Sequence, residues 1–212
     1  MAAPKQPTEV RQQEIAQAAL KIIATRGMKG LRVSAVARQV GLVPSGIYRH
    51  YRSKETLIDA VLDFIRARLA ANALDVTQME GDTATRLHAL LMKQVDLIRE
   101  NESIPQVIFS QEVYTGHPER RAKLLGIIQG FLAKVAGIVA EGQQAGDVRR
   151  DIDPAVVALM FLGLFQPPTL LWHLQGGSFD VQKQAEAAWA IFHRAIRSER
   201  SSTDVLQKKG GA

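Results

Sequence analysis

The sequence predicts an all-helical protein, and three observations carry that prediction. Apolar residues recur at helical spacing in one segment after another, while no segment sustains the alternation of a strand or frames an Asn-Gly type turn. Glycines close several of these segments, and Asp153-Pro154 and Asp180 open others, so stop and start signals fall where the periodicity breaks. About nine helices are expected.

In chain order, Ile15, Ala18, Ala19, Ile22 and Ile23 line one face of a first helix from about Thr8 to Arg26, which Gly27 ends. Val33, Val36, Ala37 and Val40 make a short second helix closed by Gly41, and Pro44 opens a third that ends near Tyr51. Ser53 reads as the N-cap of a long fourth helix, with Thr56 three residues on and Leu57, Val61, Phe64, Ile65 and Leu69 along one side. Further helices are expected over 83–100, 104–115 and 119–144. Asp153 with Pro154 starts the next, over about 154–175, because proline at the first helical position loses no hydrogen bond. Asp180 caps the last, about 180–198, whose stripe is Val181, Ala185, Ala188, Trp189, Phe192 and Ile196. The polar ends, 1–7 and 201–212, are expected to be flexible tails.

A length of 212 residues fits one or two domains, and 46% hydrophobic with 23% charged residues is the balance of a soluble globular chain. The absence of cysteine excludes disulfides, thiolate metal sites and a cysteine nucleophile. The five histidines show no i, i+4 pair, and no Gly-x-Ser-x-Gly elbow is present, so no metal, no cofactor and no enzymatic activity are expected. No signal-peptide pattern opens the chain, and a cytoplasmic protein is expected.

Charge is unevenly spread. Residues 1–54 hold ten basic groups against Glu9 and Glu14, a net of +8, whereas the remainder holds 17 basic and 19 acidic groups. A basic module on a slightly acidic body suits a polyanion, which leaves nucleic acid and an anionic membrane open. From Pro154 to Phe179 no Asp, Glu, Lys or Arg occurs, long enough to span a bilayer. Pro167 and Pro168 interrupt that stretch and its flanks lack basic anchors, so a buried or interface helix is the expectation, with no membrane partner.

The segment Val33–Lys54, VSAVARQVGLVPSGIYRHYRSK, has two short helices about a glycine turn, with basic and aromatic residues crowding the second. That is the form of a helix-turn-helix. Gly41, Ile47, Tyr48, His50, Tyr51 and the triplet Ser53-Lys54-Glu55 follow a pattern of glycine, apolar, tyrosine, any residue, histidine, aromatic, then Ser-Lys-Glu. In this it resembles the DNA-binding domain of the tetracycline-repressor (TetR) family of transcriptional regulators. The resemblance is strong over about residues 10–65. Beyond, only the organisation matches, including the run from Glu141-Gly142-Gln143 to Asp153-Pro154.

Residue chemistry points the same way. A third helix this short needs Val36, Val40, Ile47 and Tyr51 to pin it to the first, which leaves Pro44, Ser45, Gly46, Tyr48 and Arg49 for a major groove. The resemblance implies that Ser34, Ser45 and Gly46 face bases or the groove, while Tyr48, Arg49, His50 and Lys54 hold phosphates; Arg32 completes the candidate DNA-binding set. Arg32 and Val43 stand where the family commonly has a Ser or Thr cap, and Ser34 where an arginine often reads a base.

A helix-turn-helix domain over 8–53 and a ligand-binding and dimerisation domain over 54–200 are therefore expected. Candidate pocket residues are His88, Met92, Val95, Phe109, Tyr114, Phe131 and Phe165, with His88, Gln94 and Tyr114 as polar groups. Val156, Met160, Trp189, Phe192 and Ile196 are the candidate dimer contacts. The resulting expectation is a homodimeric repressor of double-stranded operator DNA, released by a small, mainly apolar effector. The alternative is a soluble lipophile carrier with a vestigial helix-turn-helix; the basic charge on residues 1–54 favours the regulator.

Overall fold

The computed structural model of the chain describes residues 8–115 and 117–198. The expected flexible ends, 1–7 and 201–212, lie outside the described residues. The described residues form eleven helical segments: α1 (Thr8–Gly30), α2 (Val33–Gln39), α3 (Pro44–Tyr48), α4 (Lys54–Thr77), α5 (Thr83–Glu100), α6 (Ile104–Ile108), α7 (Gln111–Tyr114), α8 (Pro118–Ala145), α9 (Pro154–Gly163), α10 (Gln166–Leu174) and α11 (Val181–Ile196). Among the described residues no strand forms, and Val148 and Arg197 make an isolated antiparallel bridge.

The helix count exceeds expectation because two segments break. The 104–115 segment divides at Phe109 (φ −97°, ψ 12°) and Ser110 (φ −75°, ψ 152°), the latter being the cap of α7. The 154–175 segment divides at Phe165 (φ −122°, ψ −32°), where Pro167 and Pro168 would otherwise remove two donors from the helical ladder. By length and composition alone, α8 and the stretch Pro154–Leu174 could each cross a membrane. Elsewhere the start signals act as anticipated. Asp153 accepts from Ala155 N at 2.8 Å, and Asp180 from Gln182 N and Lys183 N at 3.0 Å each.

The chain divides into two compact units. One comprises residues up to Arg68 together with Ile98–Ile127. Its core gathers Ile15, Ala19 and Ile23 of α1, Val36 of α2, Ile47 of α3, Leu57 and Val61 of α4, and Ile104 and Val107 of α6. Ser103 Oγ donates to the buried Leu20 carbonyl at 2.7 Å, tying the start of α6 to α1.

The other unit comprises Leu69–Leu97 and the residues from Ile128 on. Aromatic rings fill its core: Phe131 meets Phe165 edge-on at 5.9 Å, and Phe161 meets Phe192 at 5.9 Å. Thr83, at the start of α5, packs on Gly142 of α8 so closely that a Cβ there would collide with Thr83 Oγ1. Asp147 Oδ2 accepts from Thr83 N and Oγ1 at 3.3 and 3.2 Å, which locks the turn after α8 to α5. The glycine in the Glu141-Gly142-Gln143 run thus has a steric reason.

Candidate nucleic-acid interface

The interface is assembled from α2, α3 and the turn joining them. Gly41 adopts φ 68°, and Leu42 N donates to the Ala37 carbonyl at 2.9 Å across it, so the chain reverses out of α2 in the left-handed conformation that glycine tolerates. Val36, Ile47 and Tyr51 are buried and hold α3 in place, while Val40 is half-buried. Burial first, and Asp63 second, push the Tyr51 hydroxyl above its ordinary value, in keeping with a packing role. Arg32 and Val43 precede their helices without any side-chain cap, so the first N–H groups of α2 and α3 rely on other acceptors.

Burying that side turns the other outward. Arg32, Ser34, Ser45, Arg49 and His50 are exposed, Tyr48 is 43% exposed, and Gly46 is half-buried. Pro44 opens α3, but its side chain lies outside the description. A Cβ on Gly46 would meet only Val43 Cγ2, at 3.7 Å, so the protein's own packing does not demand glycine there. His50 differs from its neighbours, because it also lines an open groove beside Glu9, Asp59 and Asp63, three carboxylates on α1 and α4.

Lys54 begins α4 behind a reciprocal cap: Thr56 N donates to Ser53 Oγ at 3.4 Å, and Ser53 N to Thr56 Oγ1 at 3.3 Å. Hydrogen bonding to Ser53 holds the Glu55 carboxyl below its usual range. Lys54 itself is engaged, with Nζ 2.6 Å from Glu112 Oε1 of α7, and this contact lowers the Glu112 pKa. Beside it Arg120, only 4% exposed, donates from Nε to Asp59 Oδ1 at 3.2 Å and from Nη1 to the Glu112 carbonyl at 3.0 Å. Lys123 Nζ donates to Asp63 Oδ2 at 2.7 Å and to the Asp59 carbonyl at 3.2 Å. Sequence reasoning missed Glu112, Arg120 and Lys123, because partners some 60 positions apart leave no local signal.

The seven candidate pocket residues are divided between the two compact units. Phe109 and Tyr114, both exposed, belong to the first unit. His88, Met92, Val95, Phe131 and Phe165 belong to the second, where Phe131 and Phe165 are core and His88 Nε2 lies 2.8 Å from Glu186 Oε2 against the Trp189 ring. Gln94 is distinct: it is 1% exposed, and neither atom of its amide has a hydrogen-bond partner among the described residues.

Of the candidate dimer contacts, Val156 and Met160 are exposed, joined by Leu159, Leu171, Leu174 and Ile191. Phe192 and Ile196 are each 3% exposed, and Trp189 stacks on His193 and meets His88 at a tilt. Phe192 and Ile196 are buried inside their own protomer, which corrects their place at a dimer seam, because a helix stripe does not reveal which neighbour covers it; Trp189 is half-buried.

Residues 15–61 match the family model of bacterial regulatory proteins, tetR family, and residues 80–196 match that of the tetracyclin repressor-like C-terminal domain. The fatty acid metabolism regulator protein of Bacillus subtilis (strain 168) is 21% identical over 168 residues, 79% of this chain and 86% of that protein. The nucleoid occlusion factor SlmA of Pasteurella multocida (strain Pm70) is 20% identical over 186 residues, 88% of this chain and 94% of that one. The crystal structure of the transcriptional regulator FadR from Bacillus subtilis in complex with stearoyl-CoA has a TM-score of 0.70 at 21% identity, over 84% of this chain and 96% of that chain. A likeness at that identity shows the fold.

Proposed function

Because the chain belongs to the tetR family of bacterial regulatory proteins and is a DNA-binding transcriptional regulator, we propose that it acts in the cytoplasm as a homodimeric repressor of a near-palindromic operator. One observation carries the reading. The residues that pin α3 are buried, while Ser45, Tyr48 and Arg49 on and just after α3, the element a major groove admits, and Arg32 and Ser34 at the start of α2 are all exposed. Gly46 supports it, since no neighbour within the protein requires its missing side chain and a close backbone approach to bases would. Ser34, Ser45 and Gly46 meet base edges; Tyr48, Arg49 and Lys54 meet phosphates. The uncovered apolar face on α9, α10 and α11 is the dimer seam, led by Val156, Leu159, Met160 and Ile191. The lipophile-carrier alternative loses ground, since the basic helix-turn-helix is intact.

The effector is small, mainly apolar and carries one polar group for Gln94, whose buried amide is flanked on α5 by the buried Leu87, Leu90 and Leu91. It acts through α4, which carries Lys54 at one end and the buried Ala73 and Val76 at the other. Stearate is a reasonable first probe, being the acyl part of the stearoyl-CoA held by FadR of Bacillus subtilis, and stearoyl-CoA itself tests whether a larger, charged effector is taken instead.

Fluorescence anisotropy on duplex DNA tests the proposal. With roughly 6 to 8 phosphates engaged per dimer, log affinity should fall against log salt with a slope of about −5 to −7. Two half-sites about 34 to 36 Å apart should be protected in a footprint. A salt-independent affinity, or protection of a single half-site, would exclude the dimeric reading of DNA.

A further inference from the structure

The Lys54–Glu112 pair places an acidic side chain on a cation that α4 offers at its first turn, where free N–H groups also favour a phosphate. We propose that Glu112 competes with DNA for Lys54, so that each protomer must surrender this ion pair before Lys54 can hold a backbone phosphate. The inference rests on the DNA-binding reading and adds a residue of α7 to the determinants of affinity.

Geometry separates this pair from a chance surface contact. Lys54 and Glu112 stand 58 positions apart yet meet at 2.6 Å, with side chains 27% and 31% exposed. Glu112 does not wander to this place. Its carbonyl is held by Arg120, whose own guanidinium is anchored on Asp59 of α4, and Lys123 adds the link to Asp63 one turn on. The carboxylate is therefore positioned by backbone that a buried arginine fixes within the same compact unit. An ammonium has three donors and could touch both anions. A phosphate oxygen on that ammonium would nonetheless lie roughly 4 to 5 Å from the Glu112 carboxylate oxygen, since two charge-assisted hydrogen bonds leave the nitrogen at the tetrahedral angle, and like charges at that range repel. The depressed Glu112 pKa shows that the carboxylate is ionised at neutral pH and so able to compete.

The experiment uses the full chain, a fluorescent random-sequence duplex and five proteins: wild type, Glu112→Gln, Glu112→Ala, Lys54→Ala and the double variant Glu112→Gln with Lys54→Ala. Glutamine keeps the shape and leaves the backbone carbonyl for Arg120; Glu112→Ala serves as a second removal of the charge, and melting curves confirm that each variant folds. Glu112→Gln should bind the duplex about two- to fivefold more tightly per protomer, the range that an exposed ion pair contributes. That gain should vanish in the Lys54→Ala background. An equal gain without Lys54 would reveal mere loss of a negative charge near DNA and overturn the proposal, as would unchanged or weaker binding by Glu112→Gln. Wild type that binds no duplex at any salt concentration would instead overturn the DNA-binding reading, and this inference with it.

Discussion

The two compact units solve the problem of cohesion differently. The unit holding α2 and α3 covers its apolar core with charged links: Lys54 to Glu112, Arg120 to Asp59, Lys123 to Asp63. The unit holding α9 to α11 is knit by aromatic rings, and it leaves Val156, Leu159, Met160, Leu171, Leu174 and Ile191 uncovered on those three helices. An exposed apolar excess of that kind suits an association surface. The first unit also exposes apolar side chains, among them Val43, Phe109 and Leu125, but they are scattered over the turn before α3, the end of α6 and α8; if the second unit's exposed residues form the proposed dimer seam, oligomerisation and DNA reading are separable by mutation.

The largest expected effect tests that separation at adjacent residues. Met160, 51% exposed, and Phe161, fully buried, follow one another on α9. Met160→Glu should leave the protomer's unfolding unchanged and cost several kcal/mol of association, because a charge would enter an apolar seam without a partner. Phe161→Ala should cost about 3 to 5 kcal/mol of protomer stability. Sedimentation equilibrium and urea unfolding report the two quantities independently. A Met160→Glu protein that remains dimeric would remove the apolar face as the reason for dimerisation.

Legibility in the sequence follows the same division. The first unit's reading elements are specified locally: Gly41 takes the positive φ that ends α2, Pro44 opens α3, and Ser53 and Thr56 cap α4 reciprocally, each within a few positions. In the second unit the apolar stripe of α11 marks one face of the helix, but periodicity cannot tell whether that face meets its own core or a second copy. Phe192 and Ile196 meet their own core. On α9, apolar nearly all round, periodicity cannot rank Met160 against Phe161 at all. The break between α6 and α7 at Phe109 and Ser110 has neither glycine nor proline to announce it, unlike Pro167 and Pro168 before α10. Lys54 was legible as a residue, and its partner Glu112 was not, since only tertiary structure joins them.

A smaller effect concerns the polar group left in the second unit's core. Two buried amide atoms of Gln94 without partners each carry a desolvation cost, and a leucine of similar size carries none. Gln94→Leu should therefore stabilise the protein by about 1 to 2 kcal/mol in urea unfolding. The same change should weaken binding of any effector that uses the amide, which stearoyl-CoA and stearate titrations can probe. A destabilised Gln94→Leu would show that the amide is already satisfied, and would make the second unit's core as well paired as the first.

The smallest effect separates the units by acid. Glu55 and Glu112 in the first unit, and Asp82 in the second, have carboxyls held below their ordinary values, chiefly by hydrogen bonds from Ser53, Lys54 and Thr85 respectively. A folded pKa below the unfolded one means that the folded state releases its proton more readily, so the stabilisation is complete above the unfolded value and fades as pH falls through the folded one. The ordinary values are 4.5 for the two glutamates and 3.8 for the aspartate. These groups should thus add no pH dependence between about pH 5.5 and 7, and the first unit should begin to lose their contribution at a higher pH than the second. Hydrogen exchange between pH 6 and 3, corrected for intrinsic exchange rates, should show local stability in 54–68 and 98–127 declining before that in 83–97. Glu112→Gln should flatten the first decline and Asp82→Asn the second. If instead Glu112→Gln leaves the acid response of the first unit untouched, the Lys54 ion pair contributes nothing to its cohesion, and Arg120 with the apolar core must supply all of it.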